Sequence, residues 1–106
     1  YSMARFTMLM HPDSEIDDVS ELIDMTGKAL SEEDGWKDKI LSPPSFVSIG
    51  EVTGSSVEVI VAGKTQPSDQ WSVVSEMRRR LLEEFEQRQI RLAVVPFQTQ
   101  QQSRKK

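Results

Sequence analysis

The chain has 106 residues, a net charge of −4, 37% hydrophobic content and no cysteine. That length fits one domain with one core, and the missing cysteines exclude disulfide scaffolds and Cys-ligated metals and fit a reducing compartment. No apolar run reaches the roughly 18 residues of a membrane span, and no cleavable signal pattern appears, so this polypeptide is expected to be soluble by itself.

Charge is unevenly spread. Between positions 13 and 34 nine acids stand against Lys28 alone, whereas Arg78, Arg79, Arg80, Arg88 and Arg91 crowd the later part. Phosphate binding requires a net basic face, so nucleic acid is excluded as a partner. The two oppositely charged regions are instead expected to face one another, within a molecule or between copies.

In chain order, Arg5-Phe6-Thr7-Met8-Leu9-Met10 alternates with a period of two and reads as a strand ended by Pro12. Ser14 and Asp17 resemble a capping box, and Ile16, Val19, Ile23, Thr26 and Leu30 follow at helical spacing, with Leu22 and Ala29 beside them. A first helix is expected over 15–30, with Glu15, Asp17 and Asp18 in the turn where the helix dipole favours acids. Residues 31–45 read as a loop, broken by Gly35, Pro43 and Pro44 and tucked down by Trp36, Ile40 and Leu41.

Two β-branched runs, 46–52 and 57–62, are divided by Thr53-Gly54-Ser55-Ser56 and predict a hairpin, with Gly50 the expected bulge. Val47 and Ile49 are expected to neighbour Val57, Val59 and Val61 on one face. Pro67 and Ser68 then stop the second strand, and the Ser68 hydroxyl is expected to cap a helix starting at about Asp69. Trp71, Val74, Met77 or Arg78, Leu81, Leu82 and Phe85 form its apolar stripe, while Glu76–Arg80 and Arg80–Glu84 are spaced for ion pairs. Leu92-Ala93-Val94-Val95 reads as a fourth strand. Residues 98–106 form a polar, basic tail, expected to be disordered or ordered by a partner, beyond a domain of residues 1–97.

The order β-α-β-β-α-β predicts an α+β fold of the ferredoxin-like kind, a four-stranded antiparallel sheet with both helices on one face. Thr7, Leu9, Ser48, Glu58 and Ile60 are then expected on the uncovered face, a mixed set suited to packing against another copy or domain.

Catalytic groups are sparse. His11 is the sole histidine, at a strand end, and is read as structural rather than as a ligand. Asp13, Glu15, Asp17 and Asp18 lack the spacing and central glycine of a calcium loop and fit helix-start electrostatics. No Gly-rich phosphate loop occurs, and Ser55 and Ser56 are turn residues. Arg78-Arg79-Arg80 reads as a solvated face paired with Glu76, Glu83 and Glu84. These residues therefore predict a protein that is not an enzyme, with no cofactor and no metal; it binds, assembles or supports.

Lys64, Thr65, Pro67, Asp69, Trp71, Val73, Glu76, Met77, Arg79, Arg80, Leu81, Phe85 and Ile90, with Pro96-Phe97-Gln98 closing, resemble the C-terminal cytosolic domain of the small-conductance mechanosensitive channel family. Strand, helix and hairpin precede them in the family's order, so the resemblance covers nearly all of the chain. Gln89 departs from it, standing where the family has glycine; it must take the left-handed conformation or end the helix differently. Residues 98–106 do not read as the family's barrel strand. The resemblance implies one subunit of a heptamer in the cell membrane, opened by bilayer tension, with this domain on the cytoplasmic side. It implies partners limited to other copies of the subunit, permeating ions and small solutes, with the membrane reached only through segments preceding this sequence. The domain would build a cage under the pore, filtering solutes through side openings. Asp17, Asp18, Glu21, Arg79 and Arg80 are the candidate cage-wall or subunit-contact residues. A free-standing ferredoxin-like regulatory or ligand-binding module is the alternative, decided by whether membrane spans precede Tyr1.

Overall fold

The computed structural model describes residues 1–94. Its elements are β1 (Ser2–Met10), α1 (Ile16–Glu32), β2 (Ile40–Val52), β3 (Val57–Thr65) and α2 (Gln70–Gln87). The three strands form an antiparallel sheet in the order β1-β3-β2. Both helices cover one face, α1 over β2 and α2 over β1. Between sheet and helices lies a core that includes Phe6, Met10, Ile23, Leu30, Val59, Val61, Met77, Leu81 and Phe85. Thr7, Leu9, Ser48, Glu58 and Ile60 do share the opposite face: Thr7 and Ser48 both pair with Ile60, and Leu9 pairs with Glu58.

Of the expected four-stranded sheet, the described residues form three strands. Of the anticipated fourth strand only Leu92 makes a bridge, antiparallel to Met10. The His11 N–H donates to the Arg91 carbonyl at 3.0 Å and the Ala93 N–H to the Leu9 carbonyl at 2.9 Å. Val95 and the tail expected over 98–106 lie outside the described residues.

β2 begins six residues earlier than the 46–52 expectation, because Pro43 and Pro44 lie within a strand rather than in a loop. As an edge strand, β2 tolerates the missing N–H groups. It spends 13 residues against the 9 of β3, taking up the excess in four register shifts. One shift spans Gly50, the expected bulge position; another spans Val47, so Phe46 rather than Val47 pairs with Val61.

Pro44 is buried between two glycines. A Cβ on Gly27 of α1 would run into the Pro44 carbonyl, and a Cβ on Gly63 of β3 would come 2.7 Å from the Pro44 nitrogen. Helix, bulged edge strand and central strand therefore meet at backbone distance, and the Asp24 carboxylate nearby accepts the Phe46 N–H at 2.9 Å. Glycine inside a helix costs about 1 kcal/mol relative to alanine; here that cost is offset by the close approach.

Helix ends differ from the expected serine caps. The N-caps are Glu15 and Asp69, neither with a side-chain cap bond. Ser14 precedes the first cap by one residue and sits in a turn closed on the His11 carbonyl, while Asp17 and Asp18 supply first-turn negative charge. Ser68 has φ 75° and follows Pro67 in a turn closed by Asp69 N–H to the Gln66 carbonyl at 3.1 Å. Pro second and a left-handed residue third define a type II turn, and that conformation takes Ser68 out of the capping position.

Along α2, Val73, Val74, Met77, Leu81 and Phe85 are buried, whereas Trp71 and Leu82 are 73% and 47% exposed. The apolar stripe is thus narrower than expected and includes Val73. At the other end Gln89 takes φ 60°. Gln89 N–H bonds the Glu86 carbonyl and Ile90 N–H bonds the Phe85 carbonyl, the two bonds of a Schellman ending with glutamine in the glycine place.

Two substitutions test this framework by urea unfolding. Gly27→Ala is expected to lower stability by about 2–3 kcal/mol through overpacking, despite alanine's better helix propensity. Gln89→Gly is expected to raise it by about 0.5–1 kcal/mol, because the left-handed strain removed exceeds the added chain entropy.

Candidate functional site

The candidate residues separate into two zones. Asp17, Asp18 and Glu21 lie exposed on the first two turns of α1, and among the described residues none forms an ion pair. Their exposure follows from the helical period: Val19, Leu22 and Ile23 take the buried side and leave 17, 18 and 21 outside. Asp18 also lines a shallow cleft of about 240 Å³ with His11, Asp13, Glu15, Gln89 and Arg91. There the His11 Nδ1 accepts the Asp13 N–H at 3.1 Å, an end-of-strand role.

The second zone is self-neutralising. The Arg80 guanidinium makes a bidentate pair with Glu33, Nη1–Oε2 2.5 Å and Nη2–Oε1 2.7 Å, and its Nε donates to Glu76 Oε2 at 2.7 Å. Arg79 donates Nη2 to the same Glu76 oxygen at 2.7 Å and Nη1 to Glu83 at 3.1 Å. Arg80 and Glu76 are mostly buried, their side chains 22% and 18% exposed, while Arg79 is 56% exposed. The guanidiniums of Arg79 first, then Arg80, hold the Glu76 carboxyl down at about 2, against an ordinary 4.5. Arg80 lowers Glu33 as well, and is itself pushed above its ordinary value chiefly by Glu33.

The expected meeting of acidic and basic regions thus occurs within one molecule, through Glu33 and Arg80. Asp17, Asp18 and Glu21 take no part in it. Glu76–Arg80 pairs as its spacing predicts, but Glu84 pairs with Arg88 at 3.0 Å rather than with Arg80, which turns toward α1. Sequence reasoning missed Glu33 as the clasp partner, 47 residues from Arg80, because no local spacing marks a contact made by helix packing. Arg78, expected in the face paired with Glu76, Glu83 and Glu84, instead lies with its guanidinium 5.3 Å over the Phe6 ring. Among the described residues no group of three His, Cys, Asp or Glu side chains is placed to hold a metal, and no helix is long and apolar enough to cross a membrane.

The family model described as "Mechanosensitive ion channel MscS, C-terminal" matches residues 12–92. The small-conductance mechanosensitive channel of Caldanaerobacter subterraneus subsp. tengcongensis is 27% identical over 74 residues, which cover 70% of this chain and 26% of that protein. The chain therefore corresponds to roughly a quarter of the length of this relative.

The clasp makes stability pH-dependent on the acid side. Because the Glu76 carboxyl is held at about 2 when folded and nearer 4.5 when unfolded, the unfolded chain takes up the proton first. Its contribution is full above pH about 4.5 and is lost as pH falls through about 2. Urea midpoints measured from pH 6 to 2.5 are expected to decline over that window, with a shallower decline in Glu76→Gln.

Proposed function

This chain belongs to the MscS C-terminal family, and on that premise we propose that it is the cytosolic vestibule domain of a tension-gated mechanosensitive channel. In this reading it is non-catalytic, assembles with other copies of the subunit as a heptamer, and filters ions and small solutes without forming the pore. The membrane lies at the end of segments outside this sequence, and the domain faces the cytoplasm. A fourth strand at 92–95, completing a ferredoxin-like sheet, belongs to the same reading and is supported by the Met10–Leu92 bridge.

One observation supports the filtering role most directly. The carboxylates of Asp17, Asp18 and Glu21 are exposed and without ion pairs among the described residues, whereas Arg79 and Arg80 are engaged by Glu33, Glu76 and Glu83. Exposed, unneutralised charges set the ion concentration within a Debye length of about 8–10 Å. The first helix is therefore assigned to the acidic cage wall. Arg79 is the basic residue assigned to a subunit contact, and Arg80 supports that contact by holding the two helices together.

Reversing Asp17, Asp18 and Glu21 to Lys in the full-length channel is expected to move the reversal potential toward anions under a salt gradient, with oligomer size unchanged. An unchanged reversal potential would remove the first helix from the permeation route. A preserved permeability ratio with a lost oligomer would assign it to subunit contact instead.

A further inference from the structure

His11 stands one residue beyond β1, where the end of that strand, the turn into α1 and the segment after α2 come together. Its backbone is fixed on both sides: the N–H donates to the Arg91 carbonyl at 3.0 Å and the carbonyl accepts the Ser14 N–H at 3.0 Å. Its ring is in contact at both nitrogens. Nδ1 accepts the Asp13 N–H at 3.1 Å, and Nε2 lies 3.1 Å from Nη2 of Arg91. A guanidinium has donors only, so each contact asks the ring for a lone pair, and a neutral imidazole has one acceptor nitrogen. The two contacts therefore exclude each other. The turn holds the Asp13 N–H against the ring, whereas the exposed Arg91 side chain has water for its donors, so the ring proton belongs on Nε2 and Nδ1 keeps Asp13. Asp13 also offers a second partner, because its Oδ2 lies 4.0 Å from the same Nδ1. The other charged groups lining this cleft are Glu15 and Asp18 at the start of α1 and Arg91 after α2. On β3 the charged neighbour is Glu58, opposite Leu9, and its carboxylate is engaged by the Glu51 N–H at 3.1 Å.

We propose that His11 is a proton-operated latch on the turn between β1 and α1, with Asp13 supplying its partner in both states. With the ring neutral, Nδ1 holds the Asp13 N–H. A proton taken from solvent occupies that lone pair, both ring nitrogens become donors, and Nδ1–H turns from the Asp13 N–H to the Asp13 carboxylate. No other covalent change is needed. The Arg91 guanidinium, now beside a second cation, is directed outward. The two backbone bonds of His11 involve no ring atom and persist, so the latch acts on the turn and leaves the sheet in place. Imidazole is the side chain whose charge ordinarily changes between pH 5 and 8, and His11 is the only one in the chain. What the latch moves is the approach to α1, whose first turn carries Asp17 and Asp18. It stands apart from the channel assignment, since it rests on contacts within this chain.

Nitrogen-15 NMR of the 106-residue chain from about pH 8 to about pH 5 tests the latch. At the upper end the ring signals are expected to place the proton on Nε2. The Asp13 amide is expected to shift along the same titration curve as the ring and, after correction for the intrinsic rate, to exchange about fivefold faster at the lower end, the loss of one hydrogen bond. His11→Asn puts an amide oxygen that can accept the same N–H in place of Nδ1 and removes the titration, so the Asp13 amide is expected to stay slow throughout. Asp13→Asn keeps the N–H and removes the carboxylate, so its ring is expected to take the proton at a lower pH than in the unaltered chain. A neutral ring with its proton on Nδ1, or an Asp13 amide indifferent to the ring's titration, overturns the latch. A pH response of that amide that persists in His11→Asn also overturns it and assigns the response to Glu15 or Asp18. Equal ring titration in Asp13→Asn overturns the exchange of partners within Asp13.

Discussion

Backbone contact at Pro44 is the constraint on which the rest of this fold depends. Gly27 and Gly63 bring α1 and β3 against it from two sides, and no side chain larger than hydrogen fits at either place. That distance sets how deeply α1 sits on the sheet and brings Asp24 within reach of the Phe46 N–H. It also lets Ile23 and Leu30, one turn to either side, reach the core. Pro44 can occupy this place only because β2 is an edge strand that tolerates bulges.

With α1 fixed, the Glu33 carboxylate just beyond its end comes within reach of Arg80. The resulting triad of Glu33, Arg80 and Glu76 closes the helix layer at a mostly buried position. A bidentate pair of this kind adds geometric specificity as well as energy. It also divides the charge of the domain. Arg79 and Arg80 are satisfied internally, whereas Asp17, Asp18 and Glu21 of α1 are exposed without ion pairs among the described residues. Packing of the two helices thus decides which charged residues are paired and which stay exposed.

Much of the architecture was legible because hydrophobic periodicity reports which side of an element faces a core. The period-two run 5–10, the helical spacing in 16–30 and the paired β-branched runs each became the expected element. Gln89 was legible too, since a side chain in the glycine place of a helix ending has few options, and it takes the left-handed one. The failures lie where a local preference is outweighed. Pro43 and Pro44 signalled a loop, yet they lie in a register shift between Ser42 and Ser45 of an edge strand, where missing N–H groups are tolerated. Ser68 signalled a cap, yet the preceding proline draws it into a type II turn. Trp71 and Leu82 fit the apolar stripe by spacing, but the stripe that docks is the narrower one of Val73, Val74, Met77, Leu81 and Phe85, which leaves both exposed.

The sequence by itself determined the helices, the hairpin, the acidic first turns of α1, the Glu76–Arg80 pair and the family, because all of these rest on spacing within one element or on an ordered run of residues. Only the tertiary structure decided that Glu33 binds Arg80, that Gly27 meets Pro44, and that Asp17, Asp18 and Glu21 form no ion pair among the described residues while Arg79 and Arg80 do. Those outcomes depend on distances between elements far apart in the chain. Such distances are set by packing at backbone contact, for which a one-dimensional pattern carries no coordinate.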